Sequence, residues 1–264
     1  MSKPSPSASL SQRLQNGKIL TCSHKILATI DFPDPKFTGF QGGCADGERY
    51  YYQIVMHYDL PDRLLDHGRI AKVDLQNGSV VKWSEDLYLD HANDMTYHKS
   101  SHRIIVCHNK PRAQHLSFLD ADTLKVVDEV DLPFPIYAID YNAARDQFVV
   151  GLSGKREFCF LNADLSPTEA MTHRTAPHTD RCVKQGICAD DALLYFILWD
   201  GRYKTEPDFQ NRIAVYDWNG AYRGDLHFNI GVQEPESISI VNGRILAVCG
   251  KDKPVIYEFT PETE

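Results

Sequence analysis

The side chains best able to move a proton stand at five places far apart in the chain. These are Gln41; His91, Asn93 and Asp94; Tyr137; Lys184 and Gln185; and Glu234 and Glu236. Each group opens an apolar, strand-like run. Brought to one place, they would set an imidazole and two or three carboxyls around one substrate. Histidine titrates near neutrality, and a carboxyl drawn out of water shifts towards it, so the set suits general acid–base chemistry. His91 and Glu236 are the expected proton-transfer residues, with Asp94 orienting the imidazole. Gln41, Asn93, Tyr137, Lys184, Gln185 and Glu234 would hold the substrate. The alternative reading of the same residues is structural: polar lining for a hydrated channel, with Asn93 and Asp94 making turns.

A second layer of polar residues follows the next strand of each unit. His57 ends YYYQIVMH, His108-Asn109 follows IIVC, Trp199, Arg202 and Tyr203 follow LLYFIL, and Lys251 follows ILAVCG. The connections 58–68 and 200–211 are long for a compact β domain, and long loops tend to carry function. His57, His108 and Arg202 therefore join the substrate-binding set. The aromatic and basic rim they would form fits an anionic or sugar-like small molecule, or a peptide end.

No metal site is assigned. Glu234, Glu236 and Asp94 would suit Ca or Mg through oxygen, with His91 or His57 adding nitrogen, so a divalent cation in the channel is the one ion to consider. The chain has no EF-hand loop, HExxH, P-loop or GxSxG. Cys182 and Cys188 are the close pair among seven cysteines, and their spacing of six matches no common zinc pattern. No cofactor is expected.

The elements that must position these residues recur. QGGCADG from Gln41, HANDMTY from His91, YAIDYN from Tyr137, KQGICADD from Lys184 and EPESISIV from Glu234 each lead an apolar strand, a turn and a further strand. Anchors at Gly43, Met95, Ile139, Ile187 and Ile238 lie 52, 44, 48 and 51 residues apart. Four-stranded blades fall in the range of roughly 40–50 residues. Sustained 3.6-residue apolar periodicity is missing, so the chain reads as all-β. A β-sandwich of short strands would give no reason for the repeat. The expected fold is a five-bladed β-propeller closed by an N-terminal strand. The fifth repeat ends after three strands, and Lys25–Phe32, KILATIDF, supplies the missing one, which removes an open sheet edge. Residues 1–17 read as a disordered tail, and 18–264 as a single propeller domain.

Composition narrows the function. The 264 residues carry 28 basic and 36 acidic side chains, for a formal charge of −8, with no basic block. Nucleic acid and anionic membrane are poor partners for such a surface. No stretch has the ~20 apolar residues of a membrane span, and residues 1–20 have no apolar signal core. With an odd number of cysteines in apolar settings, this points to a soluble, cytoplasmic protein. The acid-free start of the chain also has the composition of a weak organelle-targeting segment. Nothing in the sequence sets an oligomeric state.

The phrases QGxCADG, HANDMTY, KQGICADD and EPESI resemble those of a group of uncharacterised bacterial propeller proteins. Size, blade count, the FTGFQGG run at Phe37–Gly43 and the closing KPVIYEF at Lys253–Phe259 also make the chain similar to the plant-type glutaminyl-peptide cyclotransferases. That resemblance implies the five-bladed fold. The family places a catalytic glutamate between glycines at the start of the second blade. His91-Ala92-Asn93-Asp94 stands there instead, so the fold alone carries over.

The leading expectation is a small-molecule enzyme of lyase, cyclase or hydrolase type, acting at the channel mouth. The alternative is a non-catalytic module binding a sugar, peptide or protein. The five mouth segments differ from one another, which suits one asymmetric site better than repeated ligand subsites.

Overall fold

The structure is a computed structural model and describes residues 6–15, 17–58, 66–168, 172–201 and 211–262. The chain starts with helix α1 (Pro6–Arg13) and strand β1 (Lys18–Thr29). Four-stranded antiparallel meanders follow. The first holds β2 (Gly39–Ala45), β3 (Tyr50–His57), β4 (His67–Asp74) and β5 (Ser79–Trp83). The second holds β6 (Asp94–His98), β7 (Arg103–Cys107), β8 (His115–Asp120) and β9 (Val126–Asp131). The third holds β10 (Ile136–Asn142), β11 (Gln147–Leu152), β12 (Glu157–Asn162) and β13 (His173–Arg174). The fourth holds β14 (Val183–Ala189), β15 (Leu193–Trp199), β16 (Asn211–Asp217) and β17 (Tyr222–Phe228). The last has three strands in sequence, β18 (Glu234–Val241), β19 (Arg244–Gly250) and β20 (Val255–Pro261), and takes β1 as its fourth.

Turn aspartates start these hairpins. Asp46 Oδ1 accepts the backbone N–H of Glu48, Arg49 and Tyr50 at 2.8–3.0 Å, and Asp190 Oδ1 accepts those of Ala192 and Leu193 at 2.8 Å. Short carboxylates that hydrogen-bond the chain ahead favour turns over continued strand.

The innermost strands touch in the circular order β2, β6, β10, β14, β18 and back to β2. Each seam between neighbouring units is filled by its own apolar cluster. Tyr52, Ile54, Met95 and Ile104 fill the first, Ile105, Ile139, Phe148 and Val150 the second, and Phe158, Phe160, Phe196 and Tyr216 the third. Tyr195, Ile213, Leu246-side neighbours Ile245 and Ala247, and Phe259 fill the fourth, while Phe40, Val55, Leu246 and Val248 fill the seam that returns to β2. Strands buried on both faces need continuous apolar runs such as LLYFIL and ILAVC. A ring of radial meanders about a central channel is the β-propeller arrangement.

β1 makes two different pairings. Cys22–Thr29 run antiparallel to β20, from Cys22↔Pro261 to Thr29↔Val255. Lys18–Thr21 run parallel to β17, from Lys18↔Gly224 to Thr21↔His227. The strand starts seven residues before KILATIDF and ends three residues short of it.

The disordered tail expected over residues 1–17 is corrected where the structure describes it, at residues 6–15 and 17; residues 1–5 and 16 lie outside the described residues. Residues 6–13 are helical, and Leu10 and Leu14 are buried against Leu20, Leu226, Phe228 and Phe259. Their four-residue spacing puts both on one helical face, a signal masked by the surrounding Ser and Pro. All seven cysteines are buried free thiols. Among the described residues, no helix is long and apolar enough to cross a membrane.

Candidate functional site

The polar residues at the inner-strand starts reach the channel because the strands are bulged there. Pairing skips Tyr137 between Ile136↔Leu152 and Ala138↔Gly151, and Gln185 between Lys184↔Leu198 and Gly186↔Ile197. It skips Glu236 between Pro235↔Cys249 and Ser237↔Val248. On β2 the shift falls between Phe40 and Gly43, across Gln41 and Gly42. Before β6, both Asn93 N and the Asp94 position meet Cys107. A bulge opposes two residues to one and re-aims a side chain that strict alternation would bury. Four register shifts, and the doubled partner of Cys107 ahead of β6, therefore turn Gln41, Asn93, Tyr137, Gln185 and Glu236 towards the axis.

Two adjoining cavities open there. One, of about 400 Å³, is lined by Gln41, Tyr58, His91, Trp199, Glu234, Glu236 and Lys251, among others. The other, of about 290 Å³, adds Asn93, Asn109, Tyr137, Lys184 and Gln185. Gln41, His91, Glu234 and Glu236 line both. The His91 ring stacks on Tyr58, with centroids 5.5 Å apart.

The carboxyls dominate the electrostatics. Glu236 is 8% exposed and makes no hydrogen bond among the described residues. Burial, and then the negative charge of Glu234, push its carboxyl well above the usual range. Burial also raises Glu234, against the hydrogen bond donated by Gln185 Nε2 to its Oε1 at 2.7 Å. Neighbouring carboxyls of this kind hold a proton at pH values where free glutamate has lost it. Burial lowers Lys184, whose ammonium donates to the Lys155 carbonyl at 2.7 Å and lies 5.9 Å from the Tyr137 ring centre.

Asp94 does not orient His91. It lies one layer deeper, 1% exposed, where Oδ2 accepts the backbone N–H of Ile139 at 3.3 Å and of Ile187 at 3.1 Å. One side chain thus ties β6 to β10 and β14. Asp140 repeats the device further along, accepting from Thr96 Oγ1 at 2.6 Å and Ala189 N at 2.7 Å. Burial is the first cause of the rise in both carboxyls, and Asp140 is pushed up to about 7. Glycine permits this close approach: a Cβ on Gly42 would stand 2.3 Å from Asp94 Cα.

The second layer is corrected in two places. His57 lines neither cavity; it faces His67 directly across β3 and β4, with Nδ1 3.1 Å from His67 Nε2. His108 is fully buried between Asp90 Oδ2, 2.7 Å from Nδ1, and Ser117 Oγ, 2.8 Å from Nε2. Polarity at a strand end does not tell which face the residue takes. Arg202 lies outside the described residues, as does most of each long loop. Among the described residues, no group of three His, Cys, Asp or Glu could hold a metal ion. Asp94, committed to backbone amides, does not complete a set with Glu234 and Glu236. Sequence reasoning missed Tyr58 and Asp140; an aspartate inside the apolar run YAIDY was the available signal for the second.

No protein-family model and no curated protein sequence matches the chain. Solved structures are similar in fold. Myxococcus xanthus glutaminyl cyclase is matched at TM-score 0.62 and 11% identity, over 92% of this chain and 98% of that one. The β-propeller domain of Cps50 (Swd1) from Myceliophteria thermophila is matched at TM-score 0.50 and 10% identity, over 90% and 100%. U3-55K is matched at TM-score 0.50 and 7% identity, over 90% and 98%. The likeness shows a propeller fold, and at these identities the fold alone.

Proposed function

We propose that the channel mouth is the active site of an enzyme that moves a proton on a small molecule, in a lyase, cyclase or hydrolase type of reaction. One observation carries this reading: Glu236 is a buried carboxyl without a hydrogen-bond partner, beside a second carboxyl, in a cavity it shares with His91. A carboxyl that holds its proton more tightly than usual can serve as a general acid, and an imidazole lining the same cavity can accept a proton. Glu236 donates the proton and His91 accepts one, while Gln41, Asn93, Tyr137 and Gln185 shape the pocket. The likeness in fold to Myxococcus xanthus glutaminyl cyclase supports catalysis on such a fold.

The second reading is a non-catalytic binding module. It is favoured by Asp94, which bonds backbone amides in place of the histidine it was expected to orient.

The test is turnover of a mixed small-metabolite pool followed by mass spectrometry, with Glu236→Gln and His91→Gln in parallel. Proton-transfer groups contribute roughly 10²–10⁴-fold, so each variant should lose turnover by that order. Turnover unchanged in both variants would refute the reading. A ligand that raises the melting temperature of the wild type without being consumed would establish the binding module.

A further inference from the structure

We propose that the mouth selects a small molecule bearing a positively charged nitrogen donor, an alkylammonium, amidinium or guanidinium group, held by Glu234, Glu236 and the amide oxygens of Gln41 and Gln185. This deepens the preceding reading and rests on the mouth being the site.

The argument is an inventory of hydrogen-bonding capacity. The amide donors around the cavity turn away from it, whereas the Tyr137 hydroxyl is buried without a hydrogen-bond partner among the described residues. Gln41 Nε2 donates to Tyr58 Oη at 3.1 Å, and Gln185 Nε2 donates to Glu234 Oε1 at 2.7 Å. Asn93 Nδ2 donates to the carbonyls of Tyr137 at 2.6 Å and Gln185 at 3.3 Å, which uses both its hydrogens. Its Oδ1 accepts from Asn109 Nδ2 at 3.1 Å. Lys184 is held by the Lys155 carbonyl, and Lys251 is exposed at the rim. Acceptors remain: the amide oxygens of Gln41 and Gln185, the second oxygen of Glu234 and both oxygens of Glu236.

Such a set is complementary to few ligands. An anion would have to sit against two carboxyls and the carbonyl oxygens, with Lys184, Lys251 and the Tyr137 hydroxyl as the donors to offset them. A neutral hydroxyl supplies one hydrogen and leaves the carboxylate charge uncompensated. An ammonium or guanidinium supplies three to five N–H donors and a countercharge, and charge-assisted bonds are about twice as strong as neutral ones. The raised carboxyls fit the same picture: of the protons the pair holds, a bound cation would displace one and leave one for transfer. The cavity volumes suit a small molecule. The anionic or sugar-like ligand expected from a basic rim is replaced by its opposite in charge.

The test uses four probes with one tail: butylammonium, butylguanidinium, 1-butanol and butyrate, titrated calorimetrically into the wild-type protein. The two cations should bind, the other two at least about tenfold more weakly. Glu236→Gln should weaken the cations by about tenfold or more, whereas the exposed control Glu48→Gln should not change them. Cation affinity should rise with pH, because ionised carboxyls bind cations best, and binding should release protons to the buffer. Equal binding of butyrate or butanol would overturn the proposal, as would equal cation binding by Glu236→Gln or no cation binding at all. Turnover of an uncharged or anionic substrate that depends on Glu236 would overturn it while leaving the acid–base reading standing.

Discussion

Replacing Glu236 by Gln should make the protein more stable, and by an amount that depends on pH. The wild-type carboxyl is buried, has no hydrogen-bond partner and lies beside Glu234, so its folded-state pKa is raised well above that of the unfolded chain. The folded protein therefore keeps a proton that the unfolded chain loses near pH ~4.3. Its full stability is present below that value and declines as pH rises towards the raised one. The slope over that window is about 1.4 kcal/mol per pH unit. Glutamine has no proton to lose, so the decline disappears. Integrated from ~4.3 up to neutrality, that slope sets an expected gain of at most about 3–4 kcal/mol. For a chain of this length, each kcal/mol raises the melting temperature by roughly 2–4 °C. Thermal melts of both proteins from about pH 4 to about pH 8 should superimpose at the acid end and diverge steadily above it. A Gln variant that melts with the wild type at every pH, or below it at neutrality, would show that the carboxylate is satisfied in the fold. The acid role assigned to Glu236 would fall with it.

Three further outcomes are expected. Gly42→Ala should cost about 3 kcal/mol or more in urea unfolding, because the new methyl meets the backbone of Asp94 and Asn93 rather than a side chain that can yield. His108→Gln should destabilise by about 2–4 kcal/mol without changing ligand binding at the mouth. Burial lowers the His108 pKa against the pull of Asp90. Its contribution is therefore complete above the unfolded value of ~6.5 and lost as pH falls below it, so the variant's melting curve should lose that acid dependence. Deleting residues 1–16 should lower stability by about 2–5 kcal/mol through the loss of buried Leu10 and Leu14, and deletion through Phe32 should abolish the cooperative transition.

The repeat could be read because apolar strands and aspartate-containing turns punctuate the chain at nearly even intervals, as in QGGCADG and KQGICADD. The mouth residues could be read for the same reason, since Gln41, Asn93, Tyr137, Gln185 and Glu236 occupy one position of that repeat. Strict alternation along a strand makes His91 and Asp94 incompatible on one face, and only a register shift relieves that. Bulges leave little trace in sequence beyond a glycine such as Gly42 or Gly186. Asp94 bonds two backbone amides where the sequence leads one to expect an imidazole, because a carboxylate looks the same in sequence with either partner. His57 and His108 failed for another reason: each ends a strand, and the side on which it emerges is set by cross-strand neighbours 10 and 9 residues away. The α1 segment was hidden by its polar composition.

The two-sided pairing of β1 has a consequence for how the molecule comes into being. Its residues are the first of the propeller to leave the ribosome, yet their partners lie in Gly224–His227 and Val255–Pro261, at the far end of the chain. During synthesis the earlier units gain their neighbours one after another, while β1 waits with its backbone donors and acceptors unmatched. The ring therefore closes only once Val255–Pro261 have emerged, by a contact spanning more than two hundred residues, and contacts of that span make folding slow. Until then, exposed Ile19 and Ile26 lie on an unpaired strand that can join another nascent copy as readily as its own last blade.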